Sequence, residues 1–143
     1  MKVIIVGGVA GGATAAARLR RLDETAEIVV FERSGYVSYP NCGLPYYIGG
    51  VITDKEELTL QTPESFWRRF RVDMRVRHEV TAIHPAEKTV DVRNLATGET
   101  FTESYDKLVL SPGARPTQPA LPGVGIDRLF TLRTVEDTLK IRE

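Results

Sequence analysis

The chain has 143 residues, in which 19 lysines and arginines balance 19 aspartates and glutamates, with one cysteine and two histidines. That length supports one domain with a real core and hardly two, and zero formal charge gives no field that favours nucleic acid or an anionic membrane surface. One cysteine excludes an internal disulfide, no zinc-type spacing exists, and no apolar run reaches membrane length or looks like a signal peptide, so the expectation is a cytoplasmic protein with no metal centre.

Lys2 to Glu32 reads as a short apolar run, a glycine-rich loop, a helix of small residues and a second apolar run ending in an acid. This is the order of a dinucleotide-binding βαβ unit. Val3 to Val6 is apolar at every position, as a parallel strand buried on both faces requires, and is expected to be central. Gly7 fits the sharp exit from that strand, and Gly12 fits the close approach of the helix to the sheet. The middle glycine of the G-x-G-x-x-G pattern is replaced by Val9, with Gly8 and Gly11 beside it, so one of these must bring the backbone to the pyrophosphate. Ala13, Ala15, Ala16 and Ala17 keep the helix thin, and Leu19 and Leu22 add apolar bulk. Glu32 ends the second run where a carboxylate can accept the hydroxyls of an adenosine ribose and repel a 2′-phosphate. A plain strand-to-helix turn is the alternative for the glycine loop alone; the full strand, loop, helix, strand and acid favours nucleotide binding.

Ser34 to Gly50 reads SGYVSYPNCGLPYYIGG. Its glycines and prolines predict a loop entering a short helix near Cys42 or Gly43, with Pro45 in the first turn. A thiolate is favoured by the amides at a helix start, which makes Cys42 a candidate nucleophile; the alternative is a buried structural thiol. Thr62-Pro63-Glu64 predicts a capped helix with Phe66, Trp67 and Phe70 on its apolar face. The arginines from Arg68 to Arg77 suit a solvated face, with a phosphate contact from Arg71 as the alternative. From Asp73 the period becomes two: Met74 and Val76, Val80 and Ile83, Val90 and Val92, and Phe101 and Tyr105 predict an antiparallel insertion, with turns at Pro85 to Lys88 and Thr97-Gly98. His78 and His84 fall at strand edges and take no catalytic role. Tyr105 to Leu110 rejoins the parallel sheet before Ser111-Pro112-Gly113-Ala114, Arg115 to Gly125 is an irregular connector, and Thr134 with Asp137 predicts a capping box opening a last helix.

The glycine loop Gly7 to Thr14, the Phe31-Glu32 pair and above all Ser38-Tyr-Pro-Asn-Cys42-Gly-Leu-Pro-Tyr-Tyr-Ile-Gly-Gly50 resemble the start of the FAD domain in the single-cysteine pyridine nucleotide-disulfide oxidoreductases, similar to their coenzyme A disulfide reductase branch. The fold implied is α/β, a doubly wound parallel sheet of the Rossmann-like FAD-binding type interrupted by an antiparallel β-meander. Residues 1–143 would be the amino-terminal part of that domain, with the NAD(P)H and dimerisation domains lying outside the chain. Two-cysteine relatives carry C-x4-C, where this chain has Tyr47. The resemblance implies that Cys42 is catalytic, through a mixed disulfide with coenzyme A or a sulfenic acid. It implies cofactor contacts from Gly7, Gly8, Val9, Ala10, Gly11, Gly12, Glu32, Arg33, Asn41, Val80, Ser111, Gly113 and Arg133. It implies coenzyme A contacts from Thr14, Arg18, Arg21, Ser38 and Asn41; the first three share one helix face, for whose arginines a solvated role is the alternative. Ser111-Pro-Gly-Ala resembles the second FAD motif, with Arg133 near the flavin.

The activity implied is flavin-dependent reduction, by NAD(P)H, of a small disulfide, coenzyme A disulfide or a coenzyme A-linked persulfide or polysulfide, in an enzyme expected to be a homodimer. Peroxidases and many oxidases of the group carry a histidine where this chain has Ala10, which favours disulfide reduction over the NADH oxidase or peroxidase alternative. Two other readings remain: a nucleotide-binding module that is not catalytic alone, and an NAD-dependent dehydrogenase domain, against which the meander and the Ser111 motif count.

Overall fold

The computed structural model describes all residues from Met1 to Glu143. Strand β1, Lys2–Val6, leads into helix α1, Ala10–Leu22, and then strand β2, Glu27–Glu32. A 3₁₀ turn at Asn41–Gly43 runs into α2, Leu44–Ile48, and α3, Pro63–Phe70, follows a second 3₁₀ turn. Strands β3, Asp73–Val76, β4, His78–His84, β5, Thr89–Asn94, β6, Thr100–Ser104, and β7, Lys107–Leu110, precede α4, Val135–Arg142.

The parallel sheet has the order β3-β2-β1-β7, so β1 is interior as its apolar run requires. Alternate residues of β1 and β2 serve opposite faces. Val3, Ile5, Ile28 and Val30 pack with Ala13 and Ala16 of α1 and Phe66 of α3, whereas Ile4, Val29 and Phe31 pack with Val90 and Val92 of β5. The result is three layers: helices, parallel sheet and the antiparallel meander β4-β5-β6. The α/β architecture with a meander inserted is the one expected from the sequence.

Three local expectations need correction. Met74 and Val76 belong to β3, which pairs in parallel with β2, so the antiparallel insertion begins only at β4. Trp67 is 50 % exposed because the buried stripe of the short α3 is completed by Phe66 and the half-buried Phe70 alone. Leu22, the last residue of α1, is also exposed and adds nothing to the core. The caps formed as expected: Thr62 accepts from the Ser65 amide, and Thr134 from the Asp137 amide, each closing a capping box.

Two polar clusters hold the layers in register. Glu103 on β6 binds Lys2 of β1 and, at 3.3 Å, Arg75 of β3, which also reaches Asp73 at 2.8 Å, tying the meander to the parallel sheet. Burial alone would raise the Glu103 carboxyl; the Lys2 and Arg75 cations outweigh it and hold it below its ordinary value. At the foot of the sheet, Arg20 of α1 donates to the carbonyls of Phe70, Asp23, Glu24, Ala26 and Arg71 at 2.7–3.1 Å. One planar guanidinium thereby joins the α1-β2 turn to the end of α3, where Arg71 takes the left-handed conformation, φ 51°.

Arg20→Lys is expected to lower stability by about 1–3 kcal/mol in urea unfolding, because an ammonium has three donors at one point and cannot span these carbonyls. On the meander, His84 Nε2 lies 2.8 Å from Asp91 Oδ2, and the Thr102 hydroxyl donates to Asp91 Oδ1 at 2.8 Å. The bond to Asp91 raises the His84 pKa above 6.5, and the same bond with that of Thr102 lowers Asp91 below 3.8. The histidine's contribution is full below its ordinary value and lost as pH rises through the raised one; the aspartate's is lost as pH falls through the lowered one. The melting-temperature deficit of His84→Gln is therefore expected to be largest between the ordinary aspartate and histidine values and to close as pH rises through the raised histidine value.

Candidate functional site

At the carboxyl ends of β1 and β7 three backbone segments converge. A β-carbon on Gly7, whose φ is +95°, would lie 2.0 Å from the Ser111 carbonyl oxygen, and one on Gly12 would lie 1.7 Å from the Gly7 carbonyl oxygen. Both glycines are thus required by close approach, as their positions in the loop suggested. Val9 precedes α1 without a side-chain cap, and the first turn of the helix carries no acid, so its free amides are available to an anion. Glu32 accepts from the Gly8 amide at 2.7 Å and the Ser34 amide at 2.8 Å, which holds its carboxylate beside the glycine loop with lone pairs to spare.

These groups open onto a cavity of about 630 Å³. Gly7, Val9, Glu32, Arg33, Asn41, Val80, Ser111, Gly113 and Arg133 all line it. Gly8, Ala10, Gly11 and Gly12 form the loop and the first turn of α1 behind that wall and do not line it themselves. Thr14, Arg18 and Arg21 are exposed together on the outer side of α1, away from the cavity. Sequence reasoning passed over several lining residues: Tyr39, His78, Arg115, Thr134, Glu136 and Asp137. The capping box at Thr134 was visible in the sequence, but nothing local says that α4 would start at this cavity.

The cysteine segment is tied to the same place. The Ser38 amide donates to the Gly8 carbonyl at 2.9 Å, with Ser38 itself at φ 51°, and Tyr39 packs with Leu44, Tyr47, Leu58 and Val135 against Val9. Tyr47 is buried, and the Arg142 guanidinium sits 4.0 Å from its ring centre, locking α2 to α4. Cys42 lies within the 3₁₀ turn just before α2 and is exposed, which overturns the alternative of a buried structural thiol. It does not line the cavity, but the preceding Asn41 does, and the Asn41 Oδ1 is sealed from solvent with no hydrogen-bond partner. An orphaned acceptor in such a wall is the signature of a missing donor. A cavity lined by the glycine loop, a carboxylate, a second glycine turn and an amide with an unsatisfied oxygen fits a dinucleotide well.

The whole chain, residues 1–143, matches the pyridine nucleotide-disulphide oxidoreductase family. The chain belongs to that family. It is 47 % identical over 137 residues to a coenzyme A disulfide reductase of Staphylococcus aureus, covering 96 % of this chain and 31 % of the relative, so it spans about a third of that protein's length. Among solved structures, the reduced CoADR-RHD protein of Bacillus anthracis superposes with a TM-score of 0.96 at 54 % identity, over 99 % of this chain and 26 % of that one. The water-forming NADH oxidase of Lactobacillus brevis, bound to NADH, gives 0.90 at 33 % identity, over 99 % of this chain and 31 % of that one. No helix here is long and apolar enough to cross a membrane.

For a member of this oxidoreductase family, Gly12→Ala is expected to be severe, since the new methyl meets backbone rather than a movable side chain. A loss of about 2–4 kcal/mol in denaturant unfolding, with nucleotide binding lost as α1 moves off β1, is the expected result.

Proposed function

We propose that residues 1–143 are the amino-terminal, FAD-binding portion of a flavin-dependent NAD(P)H:disulfide oxidoreductase, and that Cys42 is its redox-active thiol. The observation that carries this reading is the hydrogen bond from the Ser38 amide to the Gly8 carbonyl, with Asn41 in the cavity wall, which keeps the thiol's turn on the glycine-loop side of the sheet. The residues fit the cofactor: the α1 amides would meet its pyrophosphate, Glu32 its ribose, and Val80 the adenine end, while Asn41, next to the cysteine in the chain, and Arg133 would lie near the flavin. When bound, FAD supplies a two-electron store between a pyridine nucleotide and the thiol.

The chain's own chemistry is thiol exchange. The Cys42 thiolate attacks one sulfur of an incoming disulfide, forming a Cys42 mixed disulfide and releasing the other half as a thiolate, which takes a proton from water. Exposure of Cys42 admits a bulky disulfide, and burial of Tyr47 at the position five residues on leaves the mixed disulfide with no resolving cysteine in this chain. Coenzyme A disulfide, or a coenzyme A-linked persulfide or polysulfide, is the proposed substrate, supported by the Staphylococcus aureus relative. Arg18 and Arg21, exposed on α1, suit its phosphates, with Thr14, Ser38 and Asn41 as further contacts. The hydride-donor domain and a partner subunit would be supplied outside these residues, and the thiol cycle would serve cell redox homeostasis.

A second reading, an oxidase or peroxidase cycling Cys42 through a sulfenic acid, is favoured by the likeness to the Lactobacillus brevis enzyme. Ala10, which offers no side-chain proton donor at the glycine loop, weighs against it. In the full enzyme, Cys42→Ser is expected to abolish coenzyme A disulfide reduction while flavin absorbance persists. Mass spectrometry of Cys42 is expected to show an added coenzyme A, whereas an added oxygen alone would favour the second reading.

A further inference from the structure

Tyr39 is 6 % exposed and belongs to a small core with Leu44, Tyr47, Leu58 and Val135, on which Val9, just before α1, also packs. Its hydroxyl has no hydrogen-bond partner in the chain, yet it is not sealed in: Asn41 Oδ1 is the one unpartnered side-chain polar atom cut off from solvent. What little of Tyr39 remains accessible opens onto the cavity that it lines. A buried phenol normally finds an acceptor. The carboxylates whose charges act on it accept from backbone amides instead: Glu32 from Gly8 and Ser34, Glu136 from Gly35, and Asp137 from Arg133 and Thr134, while Glu79, also in this wall, pairs with Arg33 and Arg93. Burial first, then the charges of Glu32, Glu136 and Asp137 against that of Arg133, push the phenol up to about 12, so it keeps its proton and serves as a donor.

Resting on the FAD reading above, we propose that the Tyr39 hydroxyl donates a hydrogen bond to a phosphate oxygen of the bound dinucleotide. Tyr39 follows Ser38, whose amide is bonded to the Gly8 carbonyl, and belongs to the cluster on which Val9 packs, so it stands on the glycine-loop side of the cavity, where the α1 amides attract anions. The ring thus adds a neutral donor to the amide cradle, and an anionic acceptor makes that bond stronger than one between neutral groups.

Tyr39→Phe removes the hydroxyl and keeps the ring. Titration of apoprotein with FAD, followed by flavin fluorescence, is expected to give a dissociation constant raised about tenfold in the variant. Competition by ADP should weaken in parallel and that by riboflavin, which lacks phosphate, should not, while the melting temperature of the apoprotein stays unchanged. Equal FAD affinity in the two proteins overturns this assignment alone. A lower apoprotein melting temperature in the variant makes the hydroxyl structural and also overturns it, and a parent protein that binds no FAD overturns the cofactor reading together with this one.

Discussion

The structure depends on how closely three pieces of backbone meet at the carboxyl end of the parallel sheet. Gly7 leaves β1 beneath the Ser111 carbonyl, and Gly12 brings α1 down onto the Gly7 carbonyl, each at a distance that no β-carbon survives. Because α1 sits this low, Ala13 and Ala16 reach the sheet and complete the core with Val3, Ile5, Ile28 and Val30. Because β7 is drawn up to β1, the Ser111 to Gly113 turn faces the glycine loop and closes the other side of the cavity. A packing constraint and a binding constraint are therefore the same constraint, and this chain's glycine loop has room for a valine in its middle position but for no β-carbon at either end.

The cysteine segment is secured by a different set of forces. Its backbone is pinned to the loop through Ser38 and Gly8, its aromatic residues fill a small separate core with Val135 and Leu58, and Arg142 covers Tyr47. Where a two-cysteine relative would place a second sulfur, this chain places a buried ring. Under the proposed function the thiol would exchange with partners from solution, and its exposure is in keeping with that task.

Much of this was legible in the residues because it is local. The apolar run of β1, the glycine loop, the acid at Glu32, both capping boxes and the Asn-Cys-Gly-Leu-Pro segment each announce themselves within a few positions. What escaped is nonlocal. Met74 and Val76 alternate like any strand, and only pairing with Val30 and Glu32 across α3 makes β3 parallel. The role of Arg20 depends on carbonyls from turns far along the chain, and nothing near Tyr39 in sequence shows that the Ser111 turn and the start of α4 will meet it at one cavity. Trp67 reads as part of the apolar face of α3, but so short a helix buries only one full stripe.

The guanidinium of Arg20 builds a region of the molecule that is independent of the rim. It clamps the foot of the sheet, at the far end from the glycine loop and the thiol, by a geometry that owes nothing to chemistry at the rim. Changes at the two ends share no contacts, so their energetic effects should sum. A lineage could then rework the loops around Cys42 for a new acceptor, absorbing the instability such changes bring with gains made independently at the foot.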